Sequence, residues 1–389
     1  MKILFVSTQT NPFGLPTNGD SQRTRLLLKA CARIGEVDVV TFVGSVTSDI
    51  ENVHVVHGSP VASSPHRIGK LEKWRNALCA TDLQPFFSVD HEREKIIDRI
   101  VNDGNYDCIV SRYIYRTLPC GLWKYRQQLV VDFDDALPFY FTNQLPSDAS
   151  FSARMRTNIV SHRAILLSQQ AIAKMKAAFF AEKGAADTHH ATYLPNIPYY
   201  QGSCDIPDFN VPFRRMLFVG HLDYAPNRDG MNHFLEHIYK PLSELIPNIE
   251  LHIVGHLTDR PTAERWQSYR GVTLTGFVDD LNAEYQSSHV VIAPVYRCGG
   301  TNIKLLEAMQ MNRACITTDA ALKHLQPTFE NQRDIIGVTS DHEYAEALVH
   351  LLSHPEANVS MARNGFNQVQ RHYSFDSFAS IVADTLTCR

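Results

Sequence analysis

Two successive series of short apolar runs set the tightest limit on how this chain can fold. Helical patterns alternate with the runs in both series. In the first series the runs lie at 3–8, 37–43, 53–56, 108–110 and 129–131. After the first of them, Pro12, Gly14, Pro16, Asn18 and Gly19 form a loop. A helix then starts near Asp20, with Leu26, Leu27, Ala30 and Ile34 on one face and Gly35 as its stop. Further helical patterns fall around 67–80, 91–102 and 151–167. The second series follows Leu194-Pro195-Asn196-Ile197-Pro198. Its runs at 216–219, 249–254, 272–275 and 290–293 end at Gly220, Gly255, Gly276 and Pro294, and two more lie at 315–317 and 335–338. Strands alternating with helices imply βαβ units and a parallel sheet. The expectation is an α/β chain of two similar-sized, doubly wound domains joined near residues 195–213. In open parallel sheets ligands bind beyond the carboxyl ends of the strands. A single glycine closes a strand as readily without function. Three glycines and a proline closing four strands on one edge make the second domain the candidate nucleotide site.

Size and composition agree with this frame. At ~100–200 residues per domain, 389 residues suggest two domains. The 44% hydrophobic and 20% charged content is that of an ordinary globular protein and excludes overall disorder. No apolar run approaches the roughly 18–20 residues that span a bilayer. The apolar start, Ile3 to Val6, is too short for the core of a signal peptide, so export by that route is not expected. Eight cysteines without a C-x-x-C spacing argue against a zinc ribbon or disulfide framework and for the reduced thiols of a cytoplasm. The net charge of −4 does not suggest nucleic-acid binding. It divides into +3 over 1–195 (22 Lys+Arg, 19 Asp+Glu) and −7 over the remainder (15 and 22).

The stretch 295–309 is the most informative for chemistry. After Pro294 come Gly299 and Gly300. Thr301 or Asn302 then caps a helix that carries Ile303, Leu306 and Met309 on its buried face. A Gly-Gly turn that opens a helix offers free N–H groups and the positive dipole end to an anion. Lys304 in the first turn can reach a diphosphate, and Glu307 three residues on can accept from a ribose diol. The competing reading is a plain capped helix with a Lys–Glu pair. Asp132, Asp134 and Asp135 end a first-domain strand; read alone they are a Mg²⁺ set, a polar group facing a ligand, or loop caps. Residues 66–78 place Ile68, Leu71, Trp74 and Leu78 on one face with Arg67, Lys70, Lys73 and Arg75 around it. That pattern suits an anionic membrane surface, or equally a core-packed helix with a solvated basic face. The eighteen histidines show no metal spacing.

The segment Gly300-Thr-Asn-Ile-Lys-Leu-Leu-Glu-Ala-Met309 resembles the nucleotide-sugar loop of the group 1 retaining glycosyltransferases, which have the GT-B fold. The family pattern is Glu, seven residues, Glu. The second is Glu307 and the first falls on Gly299, so the match is to a subset with Gly-Thr-x-x-Lys-x-Leu-Glu-Ala-Met and no first Glu. Leu217 to Gly230 resembles the first strand and loop of the family's second domain. Gly220 and His221 stand where the family has Gly-Arg, Arg228 is the cation nearest the usual Lys, and Asp223-Tyr-Ala-Pro-Asn227 is a form found in the same subset. Val272 to Leu281 resembles the loop whose backbone holds the nucleobase, at Gly276, Phe277 and Val278. Asn18-Gly19-Asp-Ser-Gln-Arg23 resembles the glycine-rich loop near donor phosphate and acceptor, Tyr193 to Ile197 the interdomain turn, and His372 to Phe378 the closing helix.

The resemblance implies two Rossmann-like domains facing each other across a cleft: 1–195, completed by a C-terminal helix about 374–389, and a nucleotide-sugar domain 196–373. It implies a retaining, metal-independent transfer of a hexosyl group from a nucleotide diphosphate sugar to a glycan or lipid-linked acceptor, in surface polysaccharide synthesis. No cofactor is needed. Lys304, Arg228 and the helix start near Gly300 would stabilise the departing diphosphate, with Gly299, Thr301, Asn302, Ile303, Glu307 and Asn227 around the donor. Asp134 and Asp135 would face sugar and acceptor. The expected location is the cytoplasm, peripherally at the inner membrane face through 66–78. A non-catalytic nucleotide-sugar-binding subunit and a nucleotide-sugar epimerase on the same fold are the alternatives.

Overall fold

The computed structural model describes residues 1–14, 19–44, 46–61, 69, 72, 75–76, 79–134, 150–199, 202–246, 248–296 and 302–388. The chain divides into two compact units. Unit 1 comprises Met1–Pro195 with the chain from Phe378 onward, and unit 2 comprises Asn196–Ser377.

Unit 1 is built on seven parallel strands: β1 (Lys2–Ser7), β2 (Glu36–Thr41), β3 (Val53–Gly58), β4 (Cys108–Arg112), β5 (Leu129–Asp134), β6 (Ala177–Phe180) and β7 (Thr192–Tyr193). Their order is β3-β2-β1-β4-β5-β6-β7. β1 therefore has β2 on one side and β4 on the other, and the direction of winding reverses there. Both faces of the central strands are covered, which is why they read as unbroken apolar runs. Ile3, Leu4, Phe5, Val37, Val39, Ile109, Val110, Val130 and Val131 have no exposed surface. Helices Gly19–Ile34, His91–Gly104 and Phe151–Ile172 flank the sheet. The second of these starts where Asp90 accepts from the backbone N–H of Glu92 and Arg93, a side-chain cap.

Unit 2 holds β8 (Arg214–Val219), β9 (Ile249–Val254), β10 (Val272–Gly276), β11 (Val290–Ala293), β12 (Ala314–Thr318) and β13 (Ile336–Val338). They form one parallel sheet in the order β10-β9-β8-β11-β12-β13. The winding reverses at the β8/β11 pair. Helices Ala225–Phe234 and Ile303–Gln310 follow β8 and β11 and begin at that edge.

Several expectations meet a different outcome. The helix read at 151–167 continues to Ile172. β6 and β7 were not foreseen: β6 is a four-residue run close behind that helix, and β7 has only two residues. Of the segment 66–78, only Gly69, Glu72, Arg75 and Asn76 are among the described residues. Asn18, Asp135, Cys298, Gly299, Gly300 and Thr301 lie outside them.

Candidate active site

In each unit the reversal of winding opens a crevice beyond the strand ends, the place where such sheets take ligands. In unit 2 three glycines shape it. Gly230 lies so close to β11 that a β-carbon there would collide with the Pro294 carbonyl. The Ala225–Phe234 helix is thereby seated directly against the end of β11. Gly255, at φ +144°, would drive a β-carbon into the Gly220 carbonyl. At Gly220 itself a β-carbon would lie 3.2 Å from both Asn227 Nδ2 and Lys304 Nζ.

Lys304 occupies the space this leaves. Its Nζ donates to Asn227 Oδ1 at 2.6 Å and lies 4.7 Å from the centroid of the Phe218 ring. Asn227 Nδ2 in turn donates to the His221 carbonyl at 2.9 Å. Among the described residues no carboxylate lies within 4 Å of Nζ. Burial pulls the Lys304 amine down to about 8, against a smaller upward pull from Glu307. Glu307 is half-buried on the same helix, and after burial its charge is the next cause that pushes the hydroxyl of fully buried Tyr285 well up. Asn302 stands at the N-cap position, its carbonyl accepting from Leu305 N–H at 3.0 Å. Its side chain makes no capping bond, contrary to one of the two capping residues expected. Leu305, Leu306, Ala308 and Met309 form the buried face of the helix, whereas Ile303 is only half-buried.

The other expected donor residues lie along the same edge. His221 is exposed and Arg228 half-buried, the latter in the first turn, where its N–H donates to the Tyr224 carbonyl at 3.1 Å. The Gly276 carbonyl accepts from Gly255 N–H at 2.8 Å. Phe277 projects with 77% of its surface exposed, and Val278 beside it is half-buried. A tie absent from the sequence reading joins the loops after β8 and β9. Asp223 Oδ1 accepts from Thr258 N and Oγ1, each at 2.8 Å, and Oδ2 lies 3.3 Å from His256 Nδ1.

Unit 1 places a buried charge network at its own reversal point. Asp132, with no exposed surface, accepts from Arg23 Nε and Nη2 and from Arg112 Nε, each at 2.8 Å. Burial pushes its carboxyl up, but the two guanidinium groups outweigh that and hold it at about 2. Arg112 continues to Asp20 Oδ1 at 2.6 Å, Thr24 Oγ1 at 2.7 Å and Asp134 Oδ2 at 2.7 Å. Tyr113 OH donates to the same Asp134 oxygen at 2.9 Å. Tyr113 and Asp134 both have left-handed backbones, φ +59° and +63°. Such strain persists only where surroundings over-determine it, and it clusters at functional sites. Gly19 is the exposed first residue of the helix that carries Asp20 and Arg23.

Residues 214–354, which include β8 to β13, Asn227, Lys304 and Glu307, match the family model described as Glycosyl transferases group 1. Whole-chain likeness is seen to sucrose-phosphate synthase from Thermosynechococcus elongatus, at 18% identity and TM-score 0.63 over 97% of this chain and 96% of that one. It is seen also to Anabaena HepE in complex with UDP and glucose, at 14% identity and TM-score 0.63 over 100% of both chains. WaaG, a glycosyltransferase involved in lipopolysaccharide biosynthesis, aligns at 15% identity and TM-score 0.61, again over 100% of both. The fold is GT-B. A search of curated proteins finds no match. In this GT-B chain the family-matched segment thus contains the whole Lys304–Asn227–Gly220 arrangement, while the Arg23–Asp132–Arg112 network lies outside it.

Proposed function

We propose that the protein is a group 1 glycosyltransferase that takes a sugar from a nucleotide diphosphate sugar. The observation that carries this reading is the Lys304 amine. It lies at the β8/β11 crevice, held by a neutral amide, within the family-matched segment. Among the described residues this cation has no carboxylate partner, and beside a glycine-shaped edge it suits a diphosphate. HepE, of the same fold, is described with UDP and glucose bound, which supports a nucleotide sugar as donor.

In this reading the sugar leaves through an oxocarbenium-like state on the face from which the acceptor attacks, so the anomeric configuration is retained. Catalysis then consists of stabilising the departing diphosphate and orienting the acceptor. Lys304, Arg228 and the helix start near Gly300 take the first task, and Glu307 accepts from the ribose hydroxyls. Asp134, assisted by Asp135, is assigned to the sugar and the acceptor. No metal is required. The acceptor is a glycan or lipid-linked glycan of surface polysaccharide synthesis, reached from the cytoplasm at the inner membrane face. The description of WaaG as a lipopolysaccharide enzyme supports that direction. Among the described residues no helix is long and apolar enough to cross a membrane.

The test is to offer UDP-, GDP-, ADP- and dTDP-sugars and to follow release of the nucleoside diphosphate, with the product's anomeric configuration read by NMR. One donor consumed with retention supports the proposal; binding without turnover of any donor favours the non-catalytic subunit; an isomerised donor sugar favours the epimerase.

A further inference from the structure

We propose that Asn227 is a positioning residue: its neutral amide holds the Lys304 ammonium with the charge uncompensated, so that the diphosphate of the bound nucleotide becomes the counter-ion. The inference rests on the preceding reading that unit 2 binds a nucleoside diphosphate.

Four observations build it. Asn227 is 7% exposed and both ends of its amide are engaged, so it is fixed in place. The His221 carbonyl can only accept, hence it takes Nδ2 and turns Oδ1 toward Lys304. Gly220 leaves the space in which the two side chains meet, since a β-carbon there would lie 3.2 Å from each nitrogen. The Phe218 face, 4.7 Å from Nζ, attracts the cation without neutralising it.

A lysine kept only for structure ordinarily gains a carboxylate partner when it is buried, because an unpaired buried charge is costly. Among the described residues the charged group that acts on the amine is Glu307 on its own helix, and it lies beyond ion-pair distance of Nζ. An aspartate at 227 would be nearly isosteric, yet it would neutralise the ammonium and set an oxygen against the His221 carbonyl. The asparagine therefore supplies orientation without charge.

The test uses the full chain, its Asn227→Asp and Asn227→Leu variants, and inorganic pyrophosphate, UDP, GDP, ADP and dTDP as probes. Lysine-labelled protein is titrated by NMR, with the Lys304 signal assigned from Lys304→Arg, and diphosphate affinity is measured by calorimetry. In the Asp variant Lys304 is expected to titrate about one pH unit or more above its wild-type value, and affinity for the tightest diphosphate is expected to fall about tenfold or more. The Leu variant, which removes the acceptor, also loses affinity. The proposal is overturned if Lys304 titrates unchanged in the Asp variant, or if both variants bind diphosphate within about twofold of wild type. Should the Asp variant not fold, the affinity of the Leu variant decides. A wild-type chain that binds neither pyrophosphate nor any nucleoside diphosphate overturns the nucleotide reading and the counter-ion with it. The Lys304 titrations then still decide whether Asn227 holds the charge.

Discussion

Withdrawal from water makes the Lys304 amine give up its proton more readily than a solvated lysine, although the Asn227 oxygen and the Phe218 face each favour its charged form. At Lys304 the value of about 8 lies below the ordinary lysine value, so the group has a definite pH signature. In the free protein, folding is opposed by this uncompensated charge below about pH 8. The opposition fades as pH rises from about 8 toward the unfolded value of 10.5, because there the unfolded chain binds more protons. A bound diphosphate acts in the opposite sense by favouring the charged form. Between pH 8 and 9.5, binding is therefore expected to take up a proton, and affinity to decline with rising pH. Calorimetry in two buffers of different ionisation enthalpy reads this directly; pH-independent binding without proton uptake would contradict it. Replacing Glu307 by alanine is expected to abolish donor binding while leaving the fold intact. Near-normal donor affinity in that variant, measured by thermal shift, would remove Glu307 from the site.

At the scale of elements, the reversal points of the two sheets do different things with charge. In unit 1 the arginines and aspartates compensate one another. Replacing Asp132 by asparagine leaves Arg23 and Arg112 buried without their shared carboxylate, which is expected to cost about 3–5 kcal/mol in denaturant unfolding. A loss below about 1 kcal/mol would show the network to be far weaker than its geometry implies. The carboxyl of Asp132 is depressed in the folded chain, so its contribution is present above about pH 4 and is lost as pH falls toward 2. In unit 2, Gly230→Ala is expected to push the Ala225–Phe234 helix away from Pro294, destabilising by roughly 1–3 kcal/mol. It should weaken diphosphate binding too, since Asn227 rides on that helix; unchanged unfolding would contradict the contact.

Legibility followed the range of each interaction. β1 and β11 were plain in the sequence because burial on both faces makes a strand a continuous apolar run. β7 was not, since two residues become a strand only through their ladder with β6. Lys304 and Glu307 could be found because a strand end, two glycines and a helix start are local signals. Asn227 was reached through the family resemblance, and its hold on Lys304, 77 positions away, has no local trace. The pairing of Arg23 with Asp132 spans 109 positions and needs the sheet order before it can be seen.

At the scale of the whole molecule, the second unit of this GT-B chain is proposed to recognise a nucleoside diphosphate through the Lys304 ammonium. If Lys304 and Arg228 take the leaving-group charge as proposed, activity is expected to survive EDTA; full dependence on Mg²⁺ would contradict that and return attention to Asp132, Asp134 and Asp135. The most direct measurement is thermal unfolding of the wild-type chain and Lys304→Met with UDP, GDP, ADP and dTDP. A ligand at 100 times its Kd stabilises by ~2.7 kcal/mol. The account predicts a clear rise in Tm with one of the four bases for the wild type and its loss in the Lys304→Met variant. No shift with any nucleotide, or an equal shift in both proteins, would contradict it.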